Sequence, residues 1–242
     1  MSGLFSMDAW STVWNHKESF LLGLGNTLQT AVCALALAFA IGALLGLMAT
    51  SGNKILKFVA RVYVEFIQNT PLLLQLCFLY YALAFAGLSL GVIRTGIIAL
   101  GVYTGAYMGE VIRAAIQAVP KGQFEAGYAQ GFNTAEVLLY IVLPQAYRNI
   151  VPTLLSQVIT TIKDSSYLAN VATIELMARI RQLLSAAGTY NGLGTVNVSD
   201  VMVLFGAACV IYFVINFTLS CIVRSMQARR KKALVFAPAK AA

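Results

Sequence analysis

The side chains best suited to ligand chemistry in this apolar sequence are two adjacent charged residues, Lys163 and Asp164. Both fall within a predicted membrane-spanning helix, where an ionisable side chain is a candidate for function. Neighbouring residues do not face each other on a helix, so the two charges cannot simply neutralise one another. Each therefore needs another partner, which is a second helix, a water-filled cavity or a substrate.

Asp164 also continues a polar stripe along its predicted helix. Ser156 and Thr160 precede it at intervals of four residues, which places the three side chains on one helix face. Such a face is unfavourable against lipid and favours a transport pathway or a subunit interface. Gln68, Asn69 and Gln75 form a second, weaker stripe, for which hydrogen bonding between helices explains the pattern as well as a pathway does.

Glu110 and Arg113 are a further charged pair, near the end of another predicted span. They are three residues apart, so they can meet on one helix face. This spacing favours a structural or gating pair over contact with a substrate.

No residues in the sequence combine into a catalytic or metal-binding set. His16 is the only histidine, and the four cysteines lie in apolar runs without the spacing of metal ligands. The sequence also lacks the glycine-rich phosphate loop of a nucleotide hydrolase. We therefore expect no catalytic residue, no metal and no cofactor in this chain.

The composition predicts an integral membrane protein. The 242 residues are 59% hydrophobic and only 11% charged, whereas a soluble domain carries about 25% charged residues. The net charge of +8 arises from basic residues between apolar runs. That distribution is typical of cytoplasmic loops in membrane proteins, and it argues against a nucleic acid partner.

The apolar runs predict an all-α fold with a single membrane domain over residues 1–242. The five predicted spans are at about 20–50, 62–88, 95–117, 147–171 and 200–224. Twelve lysines and arginines fall on one side of these spans and four on the other, so the N-terminus is expected outside and the C-terminus in the cytoplasm. Between the last two spans, Ile174, Met177 and Ile180 predict an amphipathic helix on the outer surface.

Residues 120–146 are polar and are predicted to form two short cytoplasmic helices. Pro120 can start the first helix, and Gly131 suits the left-handed position after its end. Asn133 and Glu136 have the spacing of a capping box, which predicts the start of a second helix. Pro144 is expected to kink or end that helix. A rigid protrusion of this kind suggests a docking element.

The 120–146 segment resembles the EAA-type motif of ABC importer permeases. The residues that carry the resemblance are Glu125, Ala126, Gly127, Gly131, Ile141, Leu143 and Pro144. In that family the motif forms the coupling helix, which inserts into a cleft of the cytoplasmic ATPase. Gly127 departs from the pattern, since the family more often has alanine there.

The wider sequence resembles the polar amino acid branch of these permeases, of histidine, glutamine or glutamate type. The likeness covers about residues 20–225 and lies in Glu65, Asn69-Thr70-Pro71, Gln75, Glu110-Val111-Ile112-Arg113, Val119-Pro120-Lys121-Gly122-Gln123 and Lys163-Asp164-Ser165-Ser166. Gln68 stands where the family usually carries arginine.

The resemblance implies a type I ABC importer-like permease that translocates a polar amino acid by alternating access. It implies a multi-pass location in the bacterial cytoplasmic (inner) membrane, surrounded by lipid. The implied partners are a cytoplasmic ABC ATPase dimer, which holds the ATP and Mg²⁺, a second permease subunit (the same chain or a paralogue) and an extracytoplasmic amino-acid-binding protein. Lys163 would then meet the substrate carboxylate and Asp164 its amine.

Two other functional classes compete with this interpretation. An ion-coupled secondary amino acid transporter or channel subunit would explain the intramembrane charges but not the capped double helix. An intramembrane enzyme would need a nucleophile with a base, or metal ligands, and the sequence offers no such set. Neither the amino acid nor the choice between homodimer and heterodimer follows from the sequence.

Overall fold

The structure is a computed structural model that describes residues 7–171, 175–190 and 198–235, with side chains at 10–11, 13–171, 175–185 and 201–228. Within those ranges every regular element is helical. Its α-helices are α1 (Met7–Asn15), α2 (Lys17–Thr50), α3 (Lys54–Gln68), α4 (Leu72–Cys77), α5 (Leu83–Phe85), α6 (Val92–Gln117), α7 (Lys121–Ala129), α8 (Thr134–Glu136), α9 (Leu143–Asp164), α10 (Leu176–Tyr190) and α11 (Val198–Val235).

Three of the described helices are long and apolar enough to cross a membrane alone. They are α2, α6 and the part of α11 over Val201–Ala228. They coincide with the first, third and fifth predicted spans. The basic C-terminal tail that entered the prediction of sidedness, Arg229 to Lys240, has its side chains outside the described residues.

The second predicted span, 62–88, is broken rather than continuous. The helix axis turns by 98° between α3 and the segment Leu72–Phe85, which includes a π-helical turn at Phe78–Ala82. Asn69 ends α3, since its backbone N–H and its side-chain amide both donate to the Glu65 carbonyl. Pro71 follows and lacks an N–H with which to continue the helix. The absence of charge in this run predicted a span, but this criterion does not indicate where a helix breaks.

The fourth predicted span, 147–171, is helical throughout but is not among the strongly apolar helices. It consists of α9 followed by a 3₁₀ segment, Ser165–Val171. Pro152 and the polar side chains that marked this span as functional also lower its hydropathy. The count of five spans therefore stays a prediction.

The residues group into two compact units. Unit 1 comprises the residues up to Ala34, Leu72–Leu100 and Thr161–Phe217. Unit 2 comprises Leu35–Pro71, Gly101–Thr160 and the residues from Thr218 onwards. Several helices contribute residues to both units, and each unit has an apolar core of its own.

In unit 1 the core joins α2, α10 and α11. Its buried members are Phe20, Leu176, Ile180, Leu204, Ala207 and Ala208. The amphipathic helix predicted between the last two spans is confirmed as α10, but it does not simply lie on a surface. Leu176 and Ile180 are fully buried, because α10 packs its apolar face on other helices. Ile174, which also entered that prediction, lies outside the described residues.

In unit 2 the core depends on a close approach of α2 and α6. The small residues at this contact are Gly42 and Gly46 on α2 and Gly101, Gly105 and Gly109 on α6. A Cβ added at Gly42 would lie 2.6 Å from the Cβ of Met108 and 3.1 Å from the backbone nitrogen of Gly109. Neither atom is the end of a flexible side chain, so neither can move aside easily. Small residues of this kind let membrane helices pack backbone to backbone.

Gly42→Ala should therefore destabilise the protein by about 1–3 kcal/mol, the usual cost of overpacking. Gly25→Ala is the matched control on the same helix, because nothing lies within 4 Å of the added Cβ. The free energy of unfolding of the control should rise by about 0.5–1 kcal/mol, since alanine favours a helix more than glycine does. Thermal unfolding of the detergent-solubilised protein measures both. An equal change in the two midpoints would contradict the close packing of α2 on α6.

Candidate functional site

Asp164 lies in unit 1, at the end of α9, with its carboxylate available to a ligand. It is half-buried, whereas the neighbouring Lys163 is exposed. No ion pair joins the two side chains, and Asp164 makes no hydrogen bond within the part of the chain that the structure describes. This fits the expectation that adjacent charges on a helix do not satisfy each other. The carboxylate keeps its acceptor capacity for a cationic or N–H-bearing group.

The backbone that carries Asp164 is tightly held. Immediately after it, Ser165 is fully buried, and its hydroxyl donates to the Ile162 carbonyl at 2.7 Å. Leu168 packs against Gly96, where an added Cβ would lie 2.9 Å from a Leu168 methyl carbon. The transition from α-helix to 3₁₀ helix therefore occurs at a fixed place.

Glu175 is a buried charged residue that sequence reasoning missed. It is fully buried in unit 1, and its carboxylate accepts hydrogen bonds from the backbone N–H groups of Met177 and Ala178, at 2.9 and 2.7 Å. Burial raises the pKa of Glu175, although these hydrogen bonds and one from Tyr212 oppose the shift. An acidic residue directly before an apolar helix is an N-terminal capping signal. The helical periodicity of its apolar neighbours predicted the helix but gave no role to Glu175.

A polar cavity of about 380 Å³ lies in unit 2, between α3 and α6. Its polar lining consists of Lys57, Arg61, Glu65, Gln68, Glu110, Arg113 and Gln117. The structure thus brings Gln68 into one cavity with the Glu110–Arg113 pair, although the sequence analysis placed them in separate groups. Charged side chains in a membrane protein commonly line a water-filled space. We refer to this space as the α3–α6 cavity.

The Glu110–Arg113 pair forms as predicted. Arg113 Nε donates to Glu110 Oε2 at 2.8 Å, and Arg113 Nη2 contacts the other carboxylate oxygen. Arg113 Nη1 also donates to Gln117 Oε1 at 2.6 Å. The guanidinium is therefore held by two neighbours on its own helix. By contrast, Arg61 and Glu65 approach only to 3.7 Å and are largely exposed, a geometry that contributes little stability.

The other predicted pathway residues occupy both units. In unit 2 the hydroxyls of Ser156 and Thr160 donate to the carbonyls four residues earlier, Pro152 and Ser156, at 3.2 and 3.3 Å. These bonds use the donor of each hydroxyl and leave it acceptor capacity. Gln75 lies on α4 in unit 1. Roles in a pathway for Gln75, Ser156 and Thr160 stay predictions.

The helix caps predicted for the 120–146 segment are confirmed. Gly131 has φ +87°, and the N–H groups of Gly131 and Phe132 bond back to Tyr128 and Gly127, at 3.0 and 3.2 Å. This pattern is a Schellman motif. The second helix begins with a complete capping box between Asn133 and Glu136. The segment therefore consists of two helices joined by a fixed turn.

Pro144 does not end the second helix, although ending it was one of the two outcomes expected of this proline. The chain runs from α8 through a π-helical turn, Val137–Val142, directly into α9, and Pro144 is the second residue of α9. A π-helical turn adds a residue and changes the hydrogen-bond pattern around it. We attribute the tolerance of Pro144 to this change. The side-chain amide of Gln145 then donates to Gln123 at 3.0 Å and ties α9 to α7.

One face of the 120–146 segment is aromatic and exposed. Tyr128, Phe132 and Tyr140 are 47%, 37% and 70% exposed, and the rings of Phe132 and Tyr140 lie 6.5 Å apart. Glu125 and Ala126 are also exposed. Partners bind preferentially to aromatic clusters of this kind.

The sequence matches the family described as "Binding-protein-dependent transport system inner membrane component" over residues 38–232. The chain belongs to this family. The match covers most of the chain, from the second half of α2 to near the end of α11. The chain is therefore a multi-pass membrane protein and a subunit of a transport system.

Curated relatives are similar over nearly the whole permease. A probable glutamine ABC transporter permease protein, GlnM of Bacillus subtilis (strain 168), is 36% identical over 222 residues, which are 92% of this chain and 98% of the relative. A glutamine transport system permease protein, GlnP of Escherichia coli (strain K12), is 33% identical over 224 residues, which are 92% and 97% of the two chains.

Solved structures confirm the fold of the permease. A chain from an amino acid ABC transporter crystallised with histidines superposes with a TM-score of 0.79 at 31% identity, and the match covers 93% of this chain and all of that one. An inward-facing chain of the MetNI methionine ABC transporter superposes with a TM-score of 0.66 at 20% identity. That match covers 88% of this chain and 98% of the other. The predicted all-α, importer-type fold is therefore correct.

Gly127, the position where this permease departs from the EAA-type pattern, lies at a close contact. It is buried, and a Cβ there would lie 2.7 Å from Ile141 Cδ1 and 2.8 Å from Val137 Cγ2. The glycine lets α7 pack directly on the π-helical turn. Its lower helix propensity is thus offset by closer packing of the two helices.

Proposed function

We propose that this chain is the membrane-spanning permease subunit of an ATP-driven importer, which translocates a polar amino acid by alternating access. The observation that carries the proposal is the 120–146 segment. It is a rigid pair of capped helices with an exposed aromatic face, in a chain that belongs to a transport-permease family. A rigid protrusion can transmit a displacement, which a flexible loop cannot.

The energy source in this proposal is a cytoplasmic ABC ATPase dimer, which holds ATP and Mg²⁺. Glu125, Ala126 and the aromatic face around Tyr140 dock into it. Closure of the ATPase dimer moves the 120–146 segment and opens the spans outward. A second permease subunit, the same chain or a paralogue, completes the pathway, and an extracytoplasmic binding protein delivers the substrate.

Glutamine is the first candidate substrate, because similar permeases are named for glutamine transport. A zwitterionic amino acid needs a cation for its carboxylate and an anion for its amine. Lys163 and Asp164 supply both charges in this proposal, and Asp164 is the better placed, since it is half-buried with a free acceptor. Gln68 in the α3–α6 cavity supplies an uncharged polar group where related permeases usually carry arginine.

The proposed location is the bacterial cytoplasmic membrane, with the N-terminus outside and the C-terminus in the cytoplasm. The distribution of lysine and arginine along the sequence supports this orientation. It places Lys121, at the start of the 120–146 segment, and Arg148, just after its end, on the side of the ATPase.

The test is uptake of labelled glutamine by proteoliposomes that contain the permease, its ATPase and its binding protein. We expect uptake only with ATP, and no effect of ionophores that abolish proton and sodium gradients. Uptake driven by an ion gradient without ATP would favour the ion-coupled secondary transporter or channel instead. Family membership does not favour that alternative.

A further inference from the structure

Four polar side chains from separate parts of unit 1 meet next to Asp164. They are Thr27 on α2, Ser165 at the start of the 3₁₀ segment, Glu175 before α10 and Tyr212 on α11. Thr27, Ser165 and Glu175 are 1%, 0% and 0% exposed. We call this group the Glu175 cluster. A buried polar group without a partner costs about 1–3 kcal/mol, so such a cluster persists only in an arrangement that satisfies its members.

The centre of the Glu175 cluster is the Tyr212 hydroxyl. It donates to Glu175 Oε2 at 3.3 Å, and its other polar neighbours are the side chains of Ser165 and Thr27. Glu175 cannot turn away from it, because the backbone N–H groups of Met177 and Ala178 hold the carboxylate. The Glu175 carboxylate thus fixes the position of the Tyr212 hydroxyl.

Thr27 anchors the same cluster to α2. Its hydroxyl donates to the Gly23 carbonyl at 3.0 Å and accepts from the backbone N–H of Leu176 at 3.2 Å. The start of α10 lies directly on α2 here, since a Cβ at Gly23 would be 2.9 Å from the Cα of Leu176. The four segments therefore have little freedom to shift independently.

The consequence concerns Asp164, which precedes Ser165 in the chain. The Asp164 carboxylate makes no hydrogen bond to another described residue, so its place depends on its backbone. That backbone changes from α-helix to 3₁₀ helix at Ser165, whose side chain contacts Tyr212. A displacement of Tyr212 would therefore be expected to shift Ser165, the residue beside Asp164.

We propose that Tyr212, held by Glu175, is a positioning residue that sets the place of the Asp164 carboxylate for substrate. The inference rests on the proposed function, because it takes Asp164 as the group that binds the substrate amine. Tyr212 touches no substrate in this account. It acts through Ser165, so its loss should weaken binding without interrupting the ATPase cycle.

Tyr212→Phe tests the proposal in the purified complex of permease and ATPase. We expect the Kd for labelled glutamine to rise about 10-fold, because a displaced Asp164 carboxylate would lose its charge-assisted hydrogen bond to the substrate amine, and such a bond is worth about 10-fold or more in Kd. Amide exchange at residues 163–168 should accelerate by a similar factor. Basal ATP hydrolysis and the thermal unfolding midpoint should stay near wild type. Ser165→Ala, which removes the contact from the other side, should reproduce these effects if Tyr212→Phe folds poorly.

Tyr63→Phe is the matched control. It removes a tyrosine hydroxyl that donates to the Val102 carbonyl at 3.1 Å in unit 2, and it should leave the Kd and the exchange at 163–168 unchanged. Wild-type Kd and exchange in a well-folded Tyr212→Phe would overturn the proposal whatever Ser165→Ala shows, because Ser165 also donates to the Ile162 carbonyl. A general loss of stability and ATP hydrolysis would also overturn it, because the role would then be structural.

Failure of this inference is distinguishable from failure of the proposed function. If Asp164→Asn abolishes glutamine binding while Tyr212→Phe does not alter it, only the positioning role is refuted. If Asp164→Asn binds normally, the proposed substrate contact itself is wrong. If the wild-type complex binds no labelled glutamine, the substrate assignment is wrong, and amide exchange at 163–168 decides the positioning role.

Discussion

A Gly131→Pro permease is expected to insert into the membrane but to lose its ATPase and all ATP-driven uptake. Gly131 has φ +87°, whereas proline is held near −65°. Proline also lacks the N–H that Gly131 donates to Tyr128 at 3.0 Å. The substitution therefore removes the turn that fixes α7 relative to α8, at a cost of about 3 kcal/mol or more. Co-purification of the ATPase and proteoliposome uptake measure the loss.

Gly131→Asn is the matched control at the same position. Asparagine tolerates left-handed backbone better than other non-glycine residues and keeps the N–H. It should retain most of the ATPase association and uptake. If the ATPase co-purifies with Gly131→Pro at the wild-type yield, docking is not the role of the 120–146 segment.

Asp164→Asn should reduce glutamine uptake by about 10- to 100-fold, with the complex correctly assembled. The change keeps the shape of the side chain but removes the negative charge proposed to meet the substrate amine. A hydrogen bond to a charged group contributes about 1.5–3 kcal/mol, which corresponds to this range. Uptake by proteoliposomes and direct binding of labelled glutamine measure the effect.

Lys163→Met and Glu18→Gln complete that experiment. Lys163→Met removes the cation proposed to meet the substrate carboxylate, and it should also lower uptake. Glu18→Gln makes the same acid-to-amide change as Asp164→Asn at an exposed position in the first turn of α2, and it should have no effect. Normal uptake in both Asp164→Asn and Lys163→Met, with normal assembly, would exclude the pair as the substrate contact.

The 120–146 segment could be predicted from sequence because its determinants are local. The capping box joins residues three apart, and the Schellman motif joins residues within one turn. Such signals depend on residue type and spacing alone. The π-helical turn before Pro144 could not be predicted in this way, because the same proline is compatible with a kink, a helix end or a bulge.

The interior of unit 1 was not predictable, because its contacts join distant residues. Glu175 and Tyr212 are 37 positions apart, and Thr27 and Leu176 are 149 apart. No sequence periodicity or short motif indicates contacts between residues so far apart in the chain. The periodicity of Ile174, Met177 and Ile180 predicted an amphipathic surface helix, and a lone acid near an apolar run is usually solvated. Burial of that acid depends on partners that only the folded chain supplies.

The break after α3 is a different case, because the sequence did contain its signal. Asn69 and Pro71 both disfavour a continuing helix, but the uncharged run around them predicted a straight span. The α3–α6 cavity, in turn, depends on that break, since it sets where α3 ends and which of its residues face α6. The sequence pattern marked Gln68 as a polar residue of interest but did not group it with Glu110 and Arg113, which line the same cavity.

The central claim is that ATP hydrolysis on a separate subunit drives this permease through the 120–146 segment. The most direct measurement places a photoreactive benzoylphenylalanine at the exposed Ala126 and, as a control, at Phe85, which is 91% exposed in unit 1. Illumination of the assembled transporter should cross-link position 126, but not position 85, to the ATPase and stop ATP-driven glutamine uptake. Absence of that cross-link in an active transporter, or full uptake by the cross-linked fraction, would contradict the claim.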